Sequence, residues 1–237
     1  MEIYGAGSLE DVRICTELGV TGILTNPQGF EQYYQGKMTL REITEALLKA
    51  SDDGRDIPVF IQVHGRDAEE IAHRVEELHE LNPRRVCGKI IADEKGFRAI
   101  KKLHDEGIRC VATCLFSLSQ AAVAAMVGAY AICPFVSRAT AMEMDMFGII
   151  RSIKECYRDT PNAPRILAAS IKSTADVNGA YAAGTDAVAL RYPMLQQMMD
   201  HVLTTRAEAL FAKNWANVKG EDMSYMKEKI KLEGIAE

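Results

Sequence analysis

One local phrase recurs along this chain: a helix-period segment, a glycine, then a short and almost wholly apolar run. It is plain at Gly107-Ile108-Arg109-Cys110-Val111-Ala112-Thr113, at Gly128-Ala129-Tyr130-Ala131-Ile132-Cys133-Pro134 and at Gly184-Thr185-Asp186-Ala187-Val188-Ala189-Leu190. A glycine just past a helix takes the left-handed conformation that ends it. A strand that is apolar without alternation is one covered on both faces, as in a parallel sheet packed between helices. Such runs number about eight, beginning near Ile3, Gly22, Pro58, Arg85, Arg109, Ala129, Arg165 and Ala187. Helical segments separate them. Thr39 with Glu42 and Ser173 with Asp176 have capping-box spacing. Residues 67–81 put Ile71, Val75 and Leu78 on one stripe and acids on the other.

Strict βα alternation fits either a closed barrel or an open doubly wound sheet. No G-x-G-x-x-G follows the first strand, and eight is the barrel number. The 237 residues are close to the length of about 250 that one barrel takes. The fold class expected is therefore α/β, a single (β/α)8 TIM barrel over residues 1–237, with no linker or composition shift to mark a second domain. The chain stays helical in pattern over residues 194–232, longer than one barrel helix needs. Residues 206–237 are expected to form a C-terminal helical tail, with Phe211 and Trp215 as apolar anchors, packed on its own barrel or on a neighbour.

A net charge of −5 without a basic run argues against a nucleic-acid partner. No run of about 18 apolar residues is present to cross a membrane. The opening Met1-Glu2-Ile3-Tyr4 reads as a strand rather than a signal peptide, so the expected location is cytoplasmic. Six cysteines lack C-x-x-C spacing and lie mostly in apolar runs, which reads as packing rather than disulfides. Five histidines lack H-x-x-x-H spacing, so no metal site is expected.

In a barrel of this kind, chemistry sits at the C-terminal ends of the strands and in the loops after them. The polar residues at those places are Thr25, Asn26, Gln62, His64, Lys89, Thr113, Phe135 to Arg138, Ser170, Lys172 and Arg191. Lys89 stands out, inside Val86-Cys87-Gly88-Lys89-Ile90-Ile91. Buried, it has a lowered pKa and is a nucleophilic amine suited to carbonyl attack. Otherwise it snorkels to solvent or pairs with an acid. Arg138, Ser170 and Lys172, with Arg191 adding to them, have the chemistry to hold a phosphate; singly, each also reads as a solvated surface group.

Thr25-Asn26-Pro27, Gln62-Val63, Lys89 followed by Asp93-Glu94-Lys95-Gly96, Val111-Ala112-Thr113, Pro134-Phe135-Val136-Ser137-Arg138 and Leu167-Ala168-Ala169-Ser170 occur in an order that resembles the transaldolase family. The likeness runs from Met1 to about Trp215 and is strongest to the small single-barrel branch that includes fructose-6-phosphate aldolase. It implies a class I enzyme without a cofactor. Lys89 would form a Schiff base with a ketose phosphate such as fructose 6-phosphate, and the C3–C4 bond would break or form with release or transfer of a dihydroxyacetone unit. By the same resemblance, Asn26 holds hydroxyls of the three-carbon unit, with Thr25 beside it. Gln62 and Thr113 position a water that shuttles protons. Arg138 and Ser170 bind the phosphate, and Lys172 stands where the family has a basic residue. A homo-oligomer, a pentamer or decamer, is implied as well.

Three departures accompany the likeness. The family's acid near the end of strand one is Ala6 here, in Tyr4-Gly5-Ala6-Gly7-Ser8. Phe135 is transaldolase-like, whereas the hydrolytic aldolases have tyrosine there. Gln62 is aldolase-like. Loss of a general base costs about 10²–10⁴ in rate. His64, expected on the same strand face as Gln62, either does part of the missing work or packs in the rim. Glu143 and Asp145 are second candidates that also read as a solvated helix start. The alternative functions are an aldolase relative for a different or modified sugar, and a catalytically weak sugar-phosphate binder.

Overall fold

A computed structural model describes residues 1–218. Eight parallel strands close a barrel in sequence order: β1 (Glu2–Ala6), β2 (Gly22–Leu24), β3 (Val59–Gln62), β4 (Val86–Ile91), β5 (Cys110–Leu115), β6 (Ala131–Pro134), β7 (Arg165–Ala168) and β8 (Ala187–Arg191). Each strand begins within two residues of the position read from the sequence. The punctuating glycines account for this: Gly107, Gly128 and Gly184 take φ of 80°, 75° and 95°, a region where a side chain is strained. β8 returns to β1 with Glu2 opposite Ala187 and Ala6 opposite Arg191.

The helices of the first half are α1 (Leu9–Glu17), α2 (Pro27–Tyr34), α3 (Leu40–Ala50), α4 (Ala68–His79) and α5 (Glu94–Asp105). The second half adds α6 (Leu118–Met126), α7 (Val136–Thr140), α8 (Met146–Tyr157) and α9 (Thr174–Ala182). Both expected capping boxes form, at Thr39 with Glu42 and at Ser173 with Asp176. On α4, Ile71, Val75 and Leu78 are buried as the stripe predicts. Gly88 lets α4 approach β4: a Cβ there would lie 2.9 Å from Cys110 Sγ and 3.1 Å from Val75 Cγ1.

Alternate residues of each strand point into the barrel. Tyr4, Leu24, Phe60, Cys87, Val111, Ala131, Leu167 and Ala187 form one cluster that fills it. Toward the N-terminal end the rings of Tyr4, Phe60 and Tyr130 pack together, with centroids 6.3 and 5.8 Å apart. Arg165 reaches the Tyr4 and Tyr130 hydroxyls, both at 3.4 Å, and ion-pairs with Glu2 at 2.7 Å. These side chains close the N-terminal end of the barrel interior. No helix among the described residues is long and apolar enough to cross a membrane.

The chain divides into two compact units, Met1–Met194 and the segment from Leu195. The mostly helical stretch expected over residues 194–232 is, among the described residues, two helices: α10 (Tyr192–Met199) stops, and α11 (Val202–Trp215) starts afresh on the His201 cap. Phe211 and Trp215, expected as apolar anchors, are exposed. The part of the expected tail beyond residue 218 lies outside the described residues.

Candidate active site

Lys89 takes the inward alternation of β4, two residues beyond Cys87. It is 3 % exposed, and its Nζ donates to the Thr25 carbonyl at 2.8 Å and to Gln62 Oε1 at 3.1 Å. It therefore does not snorkel to solvent, and among the described residues it ion-pairs with no acid. Burial disfavours the ammonium and holds the pKa below the ordinary lysine value, with the Cys133 and Cys114 thiols acting in the other direction. Burial also pushes Cys133 up to about 12, which leaves that thiol neutral near pH 7.

Gln62 ends β3 and, like Lys89, is buried. Thr113 faces the same interior from β5, fully buried; among the described residues its hydroxyl has no partner at ordinary hydrogen-bond geometry, and its nearest polar neighbour is the Cys133 thiol, whose pKa it lowers. An unpaired buried hydroxyl costs about 1–3 kcal/mol, so this one is suited to a bound molecule. The next residue, Cys114, takes φ 61° where the pairing of β5 with β6 slips by one residue. Such a bulge re-aims side chains at a barrel rim.

The rim on the β6–β7 side is held together by Asp176. Its Oδ2 accepts from Ser137 Oγ at 2.8 Å, from the Lys172 amide at 2.8 Å and from the Ser173 amide at 3.1 Å. The Ser137 amide donates to the carbonyl of Ser170, which sits at φ 58°. Arg138, Ser170 and Lys172 are thereby carried on two segments tied to each other. Arg138 lies 5.1 Å from the centroid of Phe135, which meets Phe116 edge-on at 6.1 Å. Arg191 donates to the Tyr33 hydroxyl at 2.7 Å. Among the described residues, none of Arg138, Lys172 and Arg191 is ion-paired with a carboxylate. Most other arginines of the barrel are.

Asn26 caps α2, its Oδ1 accepting from the Gly29 amide at 2.8 Å with Pro27 in the first turn. The helix start therefore fixes Asn26 at the rim. His64 is differently placed from the sequence expectation. β3 ends at Gln62, so His64 sits in the following loop, two residues beyond the strand, and is exposed. Asp145 caps α8 through the Gly148 amide, and Glu143 is an exposed turn residue at φ 58°. Sequence reasoning passed over Tyr33, Phe116, Cys114 and Cys133. Only Cys133 had a signal, since it alternates with Ala131 on an inward strand face.

The transaldolase/fructose-6-phosphate aldolase family matches residues 7–237. A protein named "Probable transaldolase" from Roseiflexus sp. (strain RS-1) is 31% identical over 219 residues, 91% of this chain and 97% of the relative. One of the same name from Thermus thermophilus is 30% identical over 223 residues, 92% of this chain and 100% of the relative. Among solved structures, the thiamine phosphate pyrophosphorylase from Pyrococcus furiosus superposes with a TM-score of 0.57 at 15% identity, covering 80% of this chain and 84% of that one. A native KDPGal structure gives 0.53 at 15% identity, covering 80% and 82%. The two structures bear on the fold alone, and both agree with the barrel. With its family match spanning nearly the whole barrel, the chain is an enzyme of the transaldolase/fructose-6-phosphate aldolase family.

Proposed function

We propose that this enzyme works through a Schiff base on Lys89, cleaving or forming the C3–C4 bond of a ketose phosphate such as fructose 6-phosphate. A dihydroxyacetone unit is released or passed to an acceptor aldehyde. The observation that carries the reading is the buried Lys89 amine, with two neutral acceptors and no carboxylate partner. Such an amine is held closer to its neutral, nucleophilic form at pH 7 than a surface lysine. The amine adds to C2 and water leaves. The iminium then draws the C3–C4 electrons to C3 as the C4 hydroxyl loses its proton. Thr113 and Gln62 line that centre and have the chemistry to hold the water that moves protons. Arg138, Ser170, Lys172 and Arg191, three of them cations without carboxylate partners, receive the phosphate. Asn26 and Phe135 complete the substrate contacts. His64, exposed in the loop after β3, remains the candidate for part of the missing acid's work.

The test is borohydride reduction with fructose 6-phosphate, followed by intact mass and peptide mapping. A three-carbon adduct on Lys89 is expected; folded protein without an adduct overturns the substrate assignment. Ala6 favours a second reading, a catalytically weak sugar-phosphate binder, whose mark is a trapped six-carbon imine without turnover. We further propose a cytoplasmic homo-oligomer, a pentamer or decamer with neither nucleic-acid nor membrane partners. A solution mass equal to one chain refutes that assembly.

A further inference from the structure

The junction between β2 and β3 departs from an ordinary parallel ladder at one residue, and the departure touches Lys89. In a parallel pair, a residue lying between two partners receives from one side and gives to the other through its own backbone. Leu24 pairs with Phe60, so Thr25 lies between Phe60 and Gln62. Its amide makes the expected bond, to the Phe60 carbonyl at 3.1 Å. The matching bond would run from the Gln62 amide to the Thr25 carbonyl. Instead the Gln62 amide donates to the Thr25 hydroxyl at 2.8 Å, and that hydroxyl donates in turn to the Phe60 carbonyl at 3.1 Å. The Thr25 carbonyl is thereby released from the ladder and accepts from Lys89 Nζ at 2.8 Å. All four residues are buried, so each of these polar groups needs its partner.

We propose that Thr25 is a positioning residue for the nucleophile. Its hydroxyl stands in for its own carbonyl in the β2–β3 ladder, which frees that carbonyl to hold the Lys89 amine and then the single N–H left on the iminium. The inference rests on the Schiff-base reading and assigns Thr25 a task within it other than touching the sugar. The chemistry balances. The amine gives up one proton as it adds to C2, and the carbonyl oxygen leaves as water with that proton and one from solvent. The protonated nitrogen keeps one N–H. The Thr25 carbonyl is a closer acceptor for it than Gln62 Oε1, at 2.8 against 3.1 Å. A carbonyl in that place stabilises the protonated, electron-withdrawing form that bond cleavage needs. A hydroxyl is required and a methyl is not, so serine can replace threonine whereas valine and alanine cannot. Without the hydroxyl, the Gln62 amide recaptures the Thr25 carbonyl, since a buried donor left unpaired costs about 1–3 kcal/mol, and Lys89 loses that acceptor.

The groups facing the Lys89 amine are the Thr25 carbonyl, Gln62, the Thr113 hydroxyl and the thiols of Cys133 and Cys114. Among the described residues no carboxylate faces it, so a change in its basicity reports on the acceptors. The variants are Thr25→Val and Thr25→Ser, with Thr25→Ala in place of valine should that variant not fold. The first measurement needs no assumption about the ketose: reductive methylation with formaldehyde and cyanoborohydride, mapped at Lys89 against pH. Thr25→Val is expected to move the Lys89 midpoint to lower pH, because the ammonium has lost an acceptor, while Thr25→Ser leaves it in place. The second is turnover of fructose 6-phosphate. Valine is expected to lower kcat at least tenfold with KM within twofold, and serine to restore kcat. A wild-type midpoint in folded Thr25→Val, or a serine variant as impaired as valine, overturns the proposal. So does a rise in KM alone, the mark of a sugar contact. If the wild type turns over no fructose 6-phosphate, the substrate assignment fails while the methylation result still decides the role of Thr25.

Discussion

Gly96→Ala tests how tightly the support behind Lys89 is built. Gly96 lies in the first turn of α5, capped by Asp93, against the end of the strand that carries the lysine. An added Cβ would meet the Ile91 carbonyl oxygen at 1.9 Å, a backbone atom that no rotamer can move. Restoring an ordinary contact of 3.4 Å requires α5 and the end of β4 to part by roughly 1.5 Å. Overpacking of this kind costs about 3 kcal/mol, and alanine's helix propensity returns about 1 kcal/mol, so the clash wins with a net loss of about 2 kcal/mol. Ile91 is two residues from Lys89, and a displacement near 1 Å at a reacting group costs on the order of 10²-fold in rate. Urea denaturation reads the first number, and borohydride trapping at Lys89 over time reads the second. A variant within about 0.5 kcal/mol of wild type that traps at the wild-type rate would refute the claim that this contact holds the strand end.

Lys89→Met abolishes trapping and also alters how stability depends on pH. Burial lowers the folded pKa of Lys89. Between that value and the unfolded one, about 10.4, the unfolded chain binds more protons, so wild-type stability rises with pH. The methionine variant lacks this term. Its stability relative to wild type should therefore be greatest at pH 7 and fall toward pH 10; urea titrations with a constant difference would contradict the burial argument. Arg85→Met should cost about 3–5 kcal/mol and leave trapping at Lys89 intact in the folded fraction. The Arg85 guanidinium donates to the carbonyls of Ile57 at 3.1 Å, Leu48 at 3.2 Å and Ser51 at 2.8 Å, and to Ser51 Oγ at 2.7 Å. A loss under about 1 kcal/mol in chemical denaturation would show those bonds to be dispensable. His64→Ala is expected to lower turnover by about tenfold if the histidine moves protons; turnover equal to wild type, with Lys89→Met inactive, ends that assignment.

Much of the barrel was legible because its punctuation is local. A glycine that ends a helix and the apolar strand behind it are neighbours in sequence, as are both members of a capping box. Lys89 was legible for a related reason: a charge inside an apolar run contradicts its surroundings. What escaped depends on residues far apart. The part played by the Thr25 carbonyl is set by Gln62, 37 residues on, and by Lys89, 64 residues on. The acceptors of Arg85 lie 28 to 37 residues before it. His64 was misplaced by extending a two-residue period past the true end of β3. The slip in β5 at Cys114 has no sequence signature, since cysteine at φ 61° follows from no local preference.

The aromatic plug under the barrel fixes the order of traffic. The Tyr4, Phe60 and Tyr130 rings and Arg165 close the N-terminal end of the barrel, so among the described residues the approach left to Lys89 is from the C-terminal strand ends. Whatever is bonded to Lys89 goes in first and comes out last. An aldehyde cut from it must vacate the threshold before a second aldehyde, or water, can take its place. Under the proposed Schiff-base chemistry, a transfer run at this lysine therefore has ping-pong kinetics, with parallel lines in a double-reciprocal plot as its signature.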